Sequence, residues 1–495
     1  MAVLVETREF VISSGTGNIT FGGFGFTPKA CIFILMPCQT DNVDSDAVSA
    51  GSGCGMGMCD GTRQWAWYSG SEDGVVAGAD VGRRSTTSGC IMRSDEQASQ
   101  VLLGKASFVS FPANGVQVNR LTAFTVPVGP RVRIIAFGGA DLTAYGDIFD
   151  PNNTQDGTTA TTAPGFEPDL IIAGMVGHHE DVDGATGNDD DACSIGWAVN
   201  PDRQASNNQF CIGFHTVDGG SAQVNNMSFH NNRCCVSREG DAADAGIEIT
   251  AWSSTGFTAT TRDAAAGTLD RFFYLALHLG GGSAQVYSVN LDTPTGTGNQ
   301  SDASVGFTPL FLFGIMISDN RTVNTWDGTA TENSSIGIGM TDGTRDLSLT
   351  RYGDDAATTT NCRSRVRNSQ FFSTDNEVGA TEVEANFISF QSTGWTLNFG
   401  TVTTAELRRA AYLVIGDLLL VREQEGFRWR NDDGSESAAT WRENQDVNEP
   451  SIGTAENIRL RMLLNMTGDV PSEQYELEYK ETADPDAEYR IIPLT

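Results

Sequence analysis

The chain has 495 residues, with 31 lysines and arginines against 63 aspartates and glutamates, for a formal net charge of −32. Such a surface repels phosphate backbones, whose binding rests on neutralising cations, so nucleic acid is excluded as an expected partner. The 55 glycines, the many short alternating runs between turn residues and the near absence of amphipathic helical periodicity exclude a helical fold and predict an all-β protein.

The N-terminus, Met1 to Glu6, has neither a basic region nor a long apolar core, so no secretory signal is expected. The longest apolar stretch, Ala410 to Val421, is short and carries Asp417, so no membrane span is expected either. Residues 1 to 24 read as an alternating strand, Val3 through Ile12, followed by the turn-rich Ser13 to Asn18. Gly25-Phe26-Thr27-Pro28 then opens into the apolar run Ala30 to Leu35. Proline cannot donate inside a central strand but is tolerated at its start, so the phrase predicts a turn feeding a strand.

The same phrase returns as Gly165-Phe166-Glu167-Pro168, 140 residues on, and as Gly306-Phe307-Thr308-Pro309, a further 141 residues on. Three other landmarks keep step with it. A glycine-rich strand ends in Asp60-Gly61-Thr62-Arg63, Pro201-Asp202-Arg203 and Asp342-Gly343-Thr344-Arg345. An alternating strand and turn follow at Phe108 to Phe111 before Gly115, Ile247 to Thr250 before Gly256, and Phe387 to Phe390 before Gly394. Each unit closes on an arginine and an apolar run, from Arg131, Arg271 and Arg408. A period this long exceeds that of solenoid repeats, so each unit is expected to bury its own core and the three to behave as separate beads. Thr404 to Leu420 has helix-forming residues, yet its place in the repeat assigns its second half to a strand.

In the first unit, Gln64-Trp65-Ala66-Trp67-Tyr68 reads as an aromatic strand packing in a core rather than as a sugar platform. The loop Asp41 to Asp46 is acidic. All five histidines (His178, His179, His215, His230, His278) fall in the second unit, the first pair beside Glu180, Asp181, Asp183, Asp189, Asp190, Asp191 and Cys193. The spacing fits neither a zinc set nor an EF-hand loop, so a solvated acidic loop is expected there. In the third unit Arg363, Arg365 and Arg367 share one face of a strand, to meet an acidic neighbour or to form a solvated edge. The ten cysteines are expected to be buried thiols, with Cys54–Cys59 and Cys31–Cys38 as local candidates for bonds formed after release from a host.

From residue 423 cysteine disappears, charge rises and five short alternating runs appear. There is no nucleophile elbow, phosphate-cradling loop, paired zinc motif or CxxC, so a non-enzymatic protein is expected. Phe427 to Glu436, Ala438 to Trp441, Arg459-Leu460-Arg461 and Tyr475 to Tyr479 resemble a C-terminal module of tailed-phage virion proteins, and the Gly-Phe-x-Pro repeats look like those of phage structural proteins. The resemblance implies a place in a virion, assembled in the host cytoplasm, and carries no catalytic residue.

The resulting expectation is an all-β chain of three tandem homologous β-sandwiches, jelly-roll-like, over 1–150, 151–293 and 294–422, with a small Ig-like β-sandwich over 423–495. Its expected role is that of a structural component on the exterior of a tailed-phage virion, a tail fibre or tail appendage protein. The partners expected are other virion proteins and host-surface glycan, in a homotrimer, without nucleic acid, membrane, cofactor or metal. One alternative is a capsid decoration protein at a threefold or pseudo-threefold position; another, of a different class, is a glycan-binding module or depolymerase.

Overall fold

A computed structural model describes residues 3 to 491, apart from 39–50, 75–80, 96–100, 125–129, 153, 177–190, 205, 207, 218–223, 240–242, 263–270, 281–283, 320–321, 327–333, 355–360, 376–379, 404–406, 418–420, 434–437, 448–456, 468–477 and 480–489. All described regular structure is β, in antiparallel sheets. The chain divides into two compact units, Met1–Leu418 and Leu419–Thr495.

The first sandwich contains β1 (Leu4–Val11), β2 (Gly17–Gly22), β3 (Ala30–Met36), β4 (Gly51–Cys59), β5 (Gln64–Glu72), β6 (Val81–Thr86), β7 (Ile91–Ser94), β8 (Leu102–Ser110), β9 (Gly115–Thr122) and β10 (Arg131–Gly138). Its large sheet has the order β1-β10-β3-β4-β5-β6 and its small sheet β2-β9-β8-β7. The second contains β11 (Thr143–Phe149), β12 (Thr158–Thr161), β13 (Leu170–Val176), β14 (Asp191–Val199), β15 (Gln209–Val217), β16 (Val224–His230), β17 (Cys235–Glu239), β18 (Ala243–Ser253), β19 (Gly256–Arg262) and β20 (Arg271–His278). The third contains β21 (Ala284–Asn290), β22 (Gly298–Asp302), β23 (Thr308–Ile317), β24 (Thr325–Trp326), β25 (Ser334–Thr341), β26 (Asp346–Gly353), β27 (Cys362–Arg367), β28 (Phe372–Asp375), β29 (Thr381–Gln391), β30 (Gly394–Val402) and β31 (Ala410–Asp417).

Strand order repeats without permutation: β11-β20-β13-β14-β15-β16 over β12-β19-β18-β17, then β21-β31-β23-β25-β26-β27 over β22-β30-β29-β28. Among the described residues the one addition is β24, a two-residue strand of the third sandwich that pairs with the edge strand β16 of the second, Ser228 opposite Trp326. Asn324 and Asn231 lock it: Asn324 Oδ1 accepts from the Asn231 backbone amide at 3.0 Å, and Asn324 Nδ2 donates to Asn231 Oδ1 at 2.9 Å.

The three sandwiches are not separate beads. Each has a private core between its two sheets, but the outer faces of the three large sheets also pack on one another around a shared core. Along β3, Cys31, Phe33 and Leu35 face the private core while Ile32 and Ile34 face the shared one. Strands buried on both faces need apolar residues at consecutive positions, which is why β3, β13 and β23 read as unbroken apolar runs.

Equivalent positions do equivalent work. Gly57, Gly196 and Gly339 lie where an added Cβ would sit 2.1 to 2.4 Å from the carbonyl oxygen of Cys90, Cys234 or Phe371, so only glycine lets the small sheet approach. The three small sheets share one bulge position: between Phe108 and Ser110, Ile249 and Ala251, and Phe387 and Ser389. The counterpart of Phe108 and Phe387 is therefore Ile249, not Ile247 as the intervals suggest. Likewise Arg409, rather than Arg408, stands opposite Ile317 as Arg131 stands opposite Met36 and Arg271 opposite Val176. The repeated phenylalanines rest on the closing strand: Phe26 covers Gly138 and Phe307 covers Gly416, whereas in the second unit Phe166 lies 6.2 Å from His278.

The second half of Thr404 to Leu420 is strand β31, as expected. Beyond residue 418, β32 (Val421–Asn431) pairs with β33 (Ile458–Thr467), and the short β34 (Glu478–Tyr479) with β35 (Arg490–Ile491). Of the turn signal Asn431 to Gly434, the described part has Asp433 accepting from the Thr440 amide at 2.9 Å. Gly434 and the run Tyr475 to Leu477 lie outside the described residues.

Candidate functional site: the junctions of the ring

The first strand of each sandwich is an edge strand of its large sheet, an open row of donors and acceptors. In each case the preceding sandwich caps it. Asp60 Oδ2 accepts from the Gly146 amide at 2.9 Å. Gln204 Oε1 accepts from the Ser288 amide at 2.6 Å, and its Nε2 donates to the Ser288 carbonyl at 2.5 Å. Asp342 Oδ2 accepts from the Thr7 amide at 3.2 Å. Thr7, Gly146 and Ser288 are equivalent, standing opposite Ile135, Leu275 and Leu413. The contacts run first to second, second to third and third to first, so one chain closes a threefold ring of the kind a head-to-tail interface makes when it closes.

The capping turns explain the Asp-Gly-Thr-Arg landmark. Asp60 Oδ1 accepts from the amides of Thr62 and Arg63 at 2.8 and 2.6 Å, and Asp342 Oδ1 from those of Thr344 and Arg345 at 2.9 Å each. Gly61 and Gly343 take φ of 90° and 79°, which glycine adopts without strain. In the second unit the turn is replaced by the longer connection 200–208. There Asn200, not Asp202, caps the chain, accepting from the Asp202 amide at 3.0 Å, while Arg203 pairs with Asp169 at 2.8 Å.

At the axis itself, Ser69, Phe214 and Arg351 occupy one equivalent position and meet. Arg351 Nη1 donates to Ser69 Oγ at 3.0 Å, and its guanidinium lies 4.3 Å from the centroid of Phe214. The same group reaches Cys193 Sγ at 3.4 Å. Arg351 thus ties the third unit to both others, fully buried.

The third-to-first junction carries a cleft of about 630 Å³, lined in part by Arg8, Glu9, Arg345, Asp346, Asn368 and Ile388. At the first-to-second junction Arg63 lies over the Tyr145 ring, 3.9 Å from its centroid. The counterpart of Tyr145 at the third-to-first junction is Glu6, which accepts from the Gly25 amide at 2.7 Å and pairs with Arg8, so that among the described residues no ring lies over Arg345. Two carboxylates line the cleft, and burial raises the Asp346 pKa. Both are also engaged in contacts that hold the fold. Asp346 Oδ2 accepts from the Phe387 amide at 3.1 Å, as Gln64 and Gln209 Oε1 accept from those of Phe108 and Ile249 at 2.7 and 2.8 Å. The other two copies use a glutamine amide oxygen at this position, so the shared task is to accept from that backbone amide. Glu9 is held by Arg131, Arg133 and Asn368.

The other residues flagged in the sequence separate as follows. Trp65 and Trp67 lie in the shared core and Tyr68 in the first private core. His215 is buried, 3.3 Å from the Asn226 amide nitrogen; His278 Nδ1 is 3.1 Å from Asp169; His230 is buried beside Arg233, and that burial lowers its pKa to about 3. His178, His179, Glu180, Asp181, Asp183, Asp189, Asp190 and the loop Asp41 to Asp46 lie outside the described residues, among which no group of three such side chains could hold a metal ion. Arg365 and Arg367 both pair with Asp375 at 3.1 Å, and Arg363 is bonded to Asn361 at 2.7 Å. All three are buried, so the acidic-neighbour alternative holds and the solvated edge does not.

All ten cysteines are free and buried. Cys54 and Cys38 face the shared core while Cys59 and Cys31 face the private one, so neither local disulfide candidate can form. An odd spacing along an extended chain puts two side chains on opposite faces. Two groups of thiols are close instead: Cys31 and Cys59, paired across strands with Cys90 beside them, and Cys211 with Cys234 and Cys235; burial pushes the Cys59, Cys211 and Cys235 thiols well up.

No family model, no curated protein and no solved structure matches the chain.

Proposed function

We propose that the chain is a non-enzymatic structural component of the exterior of a tailed-phage virion, in which one polypeptide stands where a homotrimer would otherwise stand. The observation that carries this reading is the closed ring. Its last contact, Asp342 to Thr7, returns to the first sandwich, and its apolar faces are buried inside one chain. The phage-like residues from Phe427 onward support the virion assignment, and the strong negative charge suits a protein displayed at high local concentration. The repeated strand order and the shared glycine and bulge positions support an origin of the three sandwiches by duplication.

Two positions on the particle fit, a tail fibre or appendage and a threefold or pseudo-threefold of the capsid. The ring favours the second, because the axis a fibre trimer would use is already filled by Ser69, Phe214 and Arg351. The isolated protein is then a monomer by light scattering, and in an electron-microscopy map of the particle it lies on threefold positions in hundreds of copies. A stable trimer in solution, or a few copies confined to the tail, would overturn the threefold placement. Absence from purified particles would overturn the virion reading altogether.

A further inference from the structure

The module beyond residue 418 has a charge pattern that folding alone does not ask for. In the β32–β33 pair Arg428 stands directly opposite Arg461, and Arg430 directly opposite Arg459. An isolated bridge on the other edge of β32 sets Trp441 opposite Arg430. Residues opposite one another share a face, so four guanidiniums and one indole lie together in a chain of net charge −32. Like charges directly opposite destabilise a sheet.

Some of that charge is compensated. Arg459 pairs with Asp432, Arg430 donates to the Ala439 carbonyl, and Arg428 Nε donates to the Glu443 carbonyl at 2.9 Å. The guanidiniums of Arg428 and Arg430 lie 4.2 and 4.6 Å from the Trp441 ring centroid. Arg461 is exposed and has no hydrogen-bond or ion-pair partner among the described residues. Beside it is a cavity of about 280 Å³ lined by Phe427, Arg428, Trp441, Gln445, Arg461 and Met462. Trp441 and Met462 are 40% and 39% exposed.

We propose that this face binds an anionic polysaccharide, one uronic-acid residue at a time, with the sugar ring against Trp441 and its carboxylate between Arg428 and Arg461. Each requirement of such a residue has a counterpart here. The C–H face of a pyranose needs an exposed aromatic or apolar wall, its carboxylate needs guanidinium donors in a planar fork, and its hydroxyls need an amide such as that of Gln445. The cavity is the size of a single sugar ring rather than of a peptide. An acidic peptide offers carboxylates without the flat face that the exposed Trp441 asks for. The inference goes beyond the proposed function and rests on it only for the source of the saccharide.

The test is calorimetric titration of the full chain with trigalacturonic acid at low salt, beside its methyl-esterified form, hexaglutamate and oligothymidylate. The acid trisaccharide is expected to bind, to weaken as salt rises, and to outcompete the ester at least tenfold. Arg461→Ala, which removes an exposed side chain with no described partner, and Trp441→Ala should each weaken it at least tenfold. No binding at millimolar ligand, equal binding of the ester, tighter binding of hexaglutamate or oligothymidylate, or an unchanged affinity in Arg461→Ala would overturn the proposal. None of these results bears on the virion placement, which the particle map decides.

Discussion

Truncating Trp65 to alanine tests whether the three sandwiches form one thermodynamic body. Trp65 is 1% exposed, its ring centroid lies 5.3 Å from that of Phe273, and its Nε1 donates to the Tyr274 carbonyl at 3.1 Å, both in the next sandwich. A buried tryptophan hides roughly 150–250 Å², worth about 4–6 kcal/mol at ~25 cal/mol per Å². Truncations of large aromatic side chains cost about 3–5 kcal/mol, so about 4 kcal/mol is a fair working value. Unfolding entropy is about 2.1 cal/mol/K per residue, so a cooperative body of 418 residues would shift its Tm by only about 4–5 °C. An independent unit of about 140 residues would shift by about 13 °C while the rest stayed in place. Scanning calorimetry of the full chain and of Trp65→Ala separates these outcomes. If a third of the heat moved by ten degrees or more and the remainder did not, the shared core would not couple the sandwiches.

Gly339→Ala should cost about 1–3 kcal/mol, read as a lowered urea midpoint, because its Cβ would lie 2.1 Å from the Phe371 carbonyl oxygen. Asp346→Asn should raise the melting temperature at pH 7. Burial raises the carboxyl's folded pKa, so stability is lost as pH rises from the ordinary carboxylate range through the raised folded value, and the variant's advantage should shrink as pH falls and vanish below the ordinary carboxylate range. His230 works in the opposite direction. With a folded pKa of about 3 against 6.5 unfolded, it remains neutral in the fold while the unfolded chain takes up a proton. Stability should therefore fall by up to about 1.4 kcal/mol per pH unit from pH 6.5 toward pH 3, a slope that His230→Asn flattens in urea titrations at several pH values.

Alternation, turn residues and the recurring Gly-Phe-x-Pro phrase were sufficient to determine that the chain is all β and to place the landmark strands that recur in the three units, because strand period and turn chemistry are local. The continuous apolar runs at Ala30–Met36, Leu170–Val176 and Thr308–Ile317 also carried the sign of burial on both faces. What covers the second face has no local signature. It took the tertiary structure to bring Asp60 to Gly146, Gln204 to Ser288 and Asp342 to Thr7, since such contacts join positions 84 to 335 residues apart. The same holds for Arg428, Arg461 and Trp441, whose spacing in sequence says nothing of a common face until strand register and an isolated bridge set them side by side.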